Sequence, residues 1–171
     1  EKKHDFLKSK NSPSKIVGYK PSKNFEKKKH KVPMLSLSNA FTEDDLINFE
    51  KKILNYLSEE KTFEITYSAE PKIDGISASI TYKNGKFISG LSRGDGKEGE
   101  DITKNLETLV DIPKKIVSKD FPSEIDIRGE VFISNGDFEN LKEKFANPRN
   151  AASGSLRQKN PEETKKIPLK F

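Results

Sequence analysis

Ile76-Ser77-Ala78-Ser79-Ile80-Thr81-Tyr82-Lys83-Asn84-Gly85-Lys86-Phe87-Ile88-Ser89-Gly90-Leu91 is the stretch that decides the fold. Ile76, Ala78, Ile80 and Tyr82 alternate with polar residues, the period of a strand with one buried face. Asn84-Gly85 supplies the left-handed pair that a two-residue hairpin needs, and a return strand runs from Phe87 to about Leu91. Upstream, Phe63, Ile65, Tyr67 and Ala69 alternate on the opposite parity, which predicts a further strand and a bend or bulge at Gly75. Downstream, Ile125, Ile127, Val131 and Ile133 predict another strand pair over residues 124–133, whose other face carries Asp126, Arg128 and Glu130. Ile167, Leu169 and Phe171 predict a final strand.

Helical spacing occupies the gaps. Thr42-Glu43-Asp44-Asp45 reads as a capped helix start, followed by Leu46, Phe49, Ile53 and Leu57 on one stripe. Ile102, Leu106 and Leu109 predict a short helix ending before Pro113. Phe138, Leu141 and Phe145 predict another, followed by a turn at Asn147-Pro148-Arg149-Asn150. Strands outnumber helices and are joined by hairpins as well as helices, so the expected class is α+β with mainly antiparallel sheets and flanking helices.

The chain has 171 residues, enough for one ordinary domain. It lacks cysteine, which excludes disulfide scaffolds and thiolate chemistry within it, and it lacks the long apolar run of a membrane helix. The reading is a cytoplasmic piece of a longer protein, because the sequence opens at Glu1 and its one methionine is Met34. Residues 1–31 carry eleven lysines against three acids, whereas the remainder carries twenty-one cationic residues against twenty-four acidic ones. The lysine-rich, proline-broken start reads as an arm, either a solvated tether or a phosphate-backbone contact, and His4 and His30 read as ordinary surface residues within it. Arginine is rarer and better placed. Only Arg93, Arg128, Arg149 and Arg157 stand against twenty-eight lysines, and a planar fork is worth keeping where phosphate or carboxylate must be gripped in two places.

Glu70-Pro71-Lys72-Ile73-Asp74-Gly75 puts three ionisable side chains on one face of an extended backbone. That is either an edge strand or a nucleophilic lysine flanked by carboxylates beside a permissive glycine. The loop Arg93-Gly94-Asp95-Gly96-Lys97-Glu98-Gly99-Glu100-Asp101 places Gly99 where a calcium loop needs a ligand.

Glu70-Pro71-Lys72-Ile73-Asp74-Gly75 resembles the KxDG motif of the covalent nucleotidyltransferases. Its flanks narrow the resemblance to the bacterial NAD-dependent DNA ligases. They are Val32-Pro33-Met34-Leu35-Ser36-Leu37-Ser38-Asn39-Ala40-Phe41, Arg93-Gly94-Asp95-Gly96 with Gly99-Glu100-Asp101-Ile102-Thr103, Arg128-Gly129-Glu130-Val131-Phe132, and the run from Phe145 through Asn147-Pro148-Arg149-Asn150 to Gln158.

The resemblance implies a nucleotidyltransferase (ATP-grasp-like) adenylation domain over residues 31–171, incomplete at its C-terminus. Residues 1–30 are then a basic linker and the tail of an NMN-gripping domain. It implies Lys72 as the nucleophile toward NAD, with Asp74 assisting, Glu70 on the adenine, Ser36 and Leu37 lining the nucleotide pocket, and Arg93 and Glu130 at ribose and phosphate. Arg149 and Arg157 would reach NAD phosphate or DNA. It further implies Mg²⁺, no certain metal ligand within this stretch, Zn²⁺ only in parts outside it, nicked double-stranded DNA as partner, and a monomer. Free lysine, with a pKa near 10.4, is almost wholly protonated at neutral pH, and neighbouring carboxylates favour that form. Burial and cations must therefore activate the amine. A non-catalytic nucleotide- or DNA-binding relative and an ATP-using ligase are the competing readings.

Overall fold

Asn84 and Gly85 have φ of 48° and 72°, which closes the hairpin between β2 (Ile76–Lys83) and β3 (Lys86–Ser92). The computed structural model describes residues 25–36, 38–58, 64–118 and 120–171. Strand β5 (Glu124–Val131) pairs with the other edge of β2, giving a three-stranded antiparallel sheet in the order β3-β2-β5. Two short strands, β1 (Lys27–Lys29) and β4 (Glu98–Glu100), form a second antiparallel pair. Helices α1 (Glu43–Leu57), α2 (Thr103–Leu106), α3 (Asn135–Phe138), α4 (Pro148–Leu156) and α5 (Pro161–Lys165) complete the described elements, with a 3-10 turn at Glu139–Leu141. The class is α+β with antiparallel sheets, as the periodicities predict. Among the described residues no helix is long and apolar enough to cross a membrane.

Register assigns the two faces of the sheet. Ile76, Ala78, Ile80 and Tyr82 stand opposite Val131, Gly129, Ile127 and Ile125. This face packs in one core with Ile102, Leu106, Leu109, Ile112, Phe138, Ala151, Ala152, Leu156 and Leu169. Burying a side chain the size of Ile80 or Leu106 contributes about 1.5–3 kcal/mol relative to leaving it in water. Tyr82 satisfies its hydroxyl on the Pro113 carbonyl at 2.7 Å while its ring meets Phe121 edge-on. The other face is polar: Ser77 donates to Glu130 Oε2 at 2.8 Å and Thr81 to Asp126 Oδ1 at 2.6 Å.

Several expectations are corrected. Residues 64–74 form no strand: among the described residues no neighbouring strand offers them a ladder, and alternation without a hydrogen-bonding partner does not make one. Phe63 lies outside the described residues. The expected strand pair over 124–133 is the single strand β5, and the final strand reduces to one bridge, Phe132 with Lys170. The turn at Asn147 is a helix start instead, since Asn147 caps α4 through the Asn150 amide at 2.7 Å and Pro148 occupies the first turn. Helix α1 has the expected capping box of Thr42 and Asp45. None of its predicted stripe is buried: Leu46, Phe49 and Leu57 stay exposed and Ile53 is half-buried, while the neighbouring Leu54 is the buried residue.

At Gly75 the chain bends into β2 so closely that a Cβ there would sit 2.2 Å from the Val131 carbonyl oxygen. Gly75→Ala should therefore lower stability by about 1–3 kcal/mol, the usual cost of overpacking, seen as a reduced urea midpoint at unchanged slope. A midpoint equal to wild type would mean that β5 can move away freely.

Candidate functional site

The glycine-rich loop after β3 is built by its own short-range bonds. Gly94 and Gly96 have φ of 58° and 90°. The Asp95 carboxylate accepts the Lys97 and Glu98 amides at 2.9 and 2.8 Å, and these bonds, Glu98's foremost, hold it below the usual carboxylate range. Residues 30–36, between β1 and the start of α1, then form a strap along this loop. The His30 amide donates to Lys97 O at 2.9 Å and the Met34 amide to Gly96 O at 2.8 Å. His30 Nε2 lies 3.1 Å from Arg93 O. Arg93 itself is fixed at two points, through its amide to Ser77 O at 3.2 Å and through Nη1 to Ser36 Oγ at 3.0 Å.

Strap, loop and sheet line an open cavity of about 390 Å³ on the polar face of the sheet. Met34 and Leu35 come from the strap, Arg93 from the loop, Gly129 and Glu130 from β5, and Pro71 and Ile73 from the segment before Gly75. The Arg93 guanidinium and the Glu130 carboxylate around one concavity suit a phosphate and the hydroxyls of a sugar. A larger cavity of about 680 Å³ lies beside α2 and α5, lined by none of the motif side chains. Among the described residues no group of three or more His, Asp or Glu side chains forms a metal-ligand set.

The predicted site residues divide. Ser36, Arg93 and Glu130 are brought together around the cavity or its rim, whereas Leu37 lies outside the described residues. Glu70, Lys72 and Asp74 are all exposed and none lines the cavity, whereas Pro71 and Ile73 between them do. Glu70 meets the Ser68 hydroxyl at 3.4 Å. Asp74 is held by Arg149 from the first turn of α4, with Nη1 2.8 Å from Oδ1. Arg157 turns to the buried Glu100, its Nε 3.0 Å from Oε2. That oxygen has no aligned hydrogen bond, so the pairing is coulombic.

Two contacts at this site were not legible in the sequence. His30 holds the Arg93 carbonyl, and nothing in its lysine-rich neighbourhood signals that contact. Arg128 makes no bond to Glu130, which accepts from the Ser77 hydroxyl. Instead it donates from Nη1 to Pro33 O at 3.1 Å and from Nη2 to Val32 O. Its signal was its rarity among lysines.

Comparison with known proteins identifies the family. Residues 22–171 match the family model of the NAD-dependent DNA ligase adenylation domain. All 171 residues align at 69% identity with a DNA ligase of Pelagibacter ubique, covering 25% of that protein. The whole chain also aligns, at 46% identity over 179 positions in each case, with DNA ligases of Parvibaculum lavamentivorans and of a Bradyrhizobium species, again covering 25% of each. The chain spans about a quarter of the length of these curated relatives.

The strap is anchored at its start by Lys28, whose Nζ lies 2.6 Å from Asp101 Oδ2. Partial burial pushes the Asp101 carboxyl up, but the bonds from Lys28 and Thr103 outweigh it and hold the group below its ordinary range. Asp101 thus contributes stability that is present above its unfolded pKa, near 3.9, and is lost as pH falls through the lower folded value. Asp101→Asn should flatten the acid limb of the stability-against-pH curve below about pH 4. An unchanged limb in chemical denaturation at stepped pH would refute the pairing.

Proposed function

The chain belongs to the NAD-dependent DNA ligase adenylation-domain family, and from that membership we propose that it carries the nucleotidyl-transfer centre of a ligase that seals DNA nicks. The observation that carries the reading is the meeting of four motif segments at one cavity: Met34-Leu35, Pro71 with Ile73, Arg93, and Gly129-Glu130.

Lys72 is the proposed nucleophile. Its neutral Nζ attacks the adenylyl phosphorus of NAD, a nitrogen–phosphorus bond forms, and the pyrophosphate P–O bond breaks with its electron pair leaving on nicotinamide mononucleotide. AMP held on Lys72 then passes to the 5'-phosphate of a nick, and the 3'-hydroxyl displaces it. Arg93 and Glu130 hold phosphate and ribose, Ser36 and Leu37 form the pocket edge, Glu70 meets the adenine, and Asp74 acts beside the reacting centre. Arg149 and Arg157 serve as phosphate contacts, which requires an incoming phosphate to draw them from Asp74 and Glu100.

The reading also requires the Lys72 amine to reach the cavity, which its side chain does not line. No ladder among the described residues holds residues 70–74 in a register. Magnesium dependence belongs to the proposal, although no metal-ligand set forms among the described residues. Residues 1–30 are proposed as linker and tail of the NMN-gripping domain and 31–171 as adenylation domain, in a monomeric cytoplasmic enzyme of DNA replication and repair.

Intact mass spectrometry of the full-length protein after incubation with NAD and Mg²⁺ tests the proposal. Wild type should gain the mass of one AMP and Lys72→Ala none. Absence of the gain in wild type, or its persistence in Lys72→Ala, would overturn the assignment.

A further inference from the structure

Arg128 stands in β5 opposite Ser79, between Asp126 and Glu130 on the polar face of the sheet. Both acids are engaged by hydroxyls of β2: Asp126 accepts from Thr81 and Glu130 from Ser77. The guanidinium leaves the sheet and forks onto two successive carbonyls of the strap, Pro33 O at 3.1 Å and Val32 O. Pro33 has no N–H to give to a ladder, and the strap's backbone bonds to the glycine-rich loop fall on either side of it, at His30 and Met34.

Arg128 also lines two cavities at once. One is the cavity of about 390 Å³ that also touches Met34, Leu35, Arg93 and Glu130. The other, about 200 Å³, lies toward Ser79, Thr81 and Asp126. The fork thus separates the two spaces and fixes the height of the strap above the sheet.

We infer that Arg128 is a positioning residue of the nucleotide pocket: it pins the Val32-Pro33 backbone so that Met34 and Leu35 form the pocket wall and Ser36 reaches Arg93. The inference rests on the reading of this cavity as the NAD pocket. Arg128 acts through the strap and touches no reacting atom, so its loss weakens substrate binding and leaves the chemical step in place. Lysine does not replace it, because one compact ammonium on a flexible stem does not reproduce a planar fork onto two carbonyls. A direct contact to phosphate would behave differently, since lysine keeps the charge that such a contact uses.

The experiment is single-turnover self-adenylylation of the full-length protein, followed by intact mass across a series of NAD concentrations. Wild type, Arg128→Ala and Arg128→Lys are compared, each with its melting temperature. Both variants should show a half-saturating NAD concentration raised roughly ten-fold or more, as expected for losing charge-assisted hydrogen bonds, with the saturating rate within about three-fold of wild type. Ethylguanidinium added to Arg128→Ala should lower the half-saturating concentration again, and ethylammonium should not; a fold defect alone would respond to neither.

Wild-type NAD dependence in Arg128→Lys would overturn the inference, as would a fall in the saturating rate at unchanged half-saturation. If Arg128→Ala melts below the assay temperature, Arg128→Lys decides alone. Failure of wild type itself to gain AMP would instead strike the underlying function, a result separable from any behaviour of the variants.

Discussion

The site depends on one strand being used on both edges and both faces. β2 gives one edge to β3 and the other to β5, and its register with β5 is continuous from Ile76 to Lys83. Ile76, Ala78, Ile80 and Tyr82 thereby lock into the core, while Ser77 and Thr81 are pointed at Glu130 and Asp126. A slip of one residue would exchange the faces, putting the hydroxyls in the core and the aliphatic side chains in the pocket. Burial of the apolar set therefore supplies the energy that orients the polar set. The pocket chemistry is a by-product of core packing on the opposite side of the same backbone.

The hairpin, the sheet class and the polar face of β5 were legible because each rests on a local rule: an Asn-Gly pair, a period of two, an alternation of ionisable residues. The starts of α4 and α5 were legible in principle, since Asn147-Pro148 and Asn160-Pro161 each place a capping side chain before a first-turn proline. Reading the first as a turn gave Asn and Pro their loop meaning and overlooked the helix-compatible Ala-Ala-Ser-Gly-Ser-Leu that follows. The segment 64–74 misled in the opposite direction, because its alternation is real but a strand is a property of pairs.

Side-chain partners at the site were the least legible. Arg149, Arg157 and Arg128 were singled out by rarity, yet their partners, Asp74, Glu100 and the Val32-Pro33 carbonyls, are set by tertiary approach between distant segments. Charge totals misled similarly. Lys27 and Lys29, counted within a basic arm, stand opposite Glu100 and Glu98 in the β1–β4 pair, and Lys28 is bound to Asp101. Part of the apparent basic surface is thus neutralised within the fold, and long-range attraction for a polyanion is correspondingly weaker than the sequence count suggests.

The strap also carries a consequence for the order of assembly. Its bonds to Arg128 close loops of 95 and 96 residues, and that from His30 to Arg93 closes one of 63, whereas the β2–β3 hairpin closes across two residues. Closure entropy grows slowly with length, but it is spent before a distant contact gives any return. The hairpin and its core face are accordingly the early-forming part of this molecule, and the pocket is a late one. Amide protons of β2 should therefore outlast those of residues 30–36 in hydrogen exchange, the result expected if the strap opens while β2 stays folded.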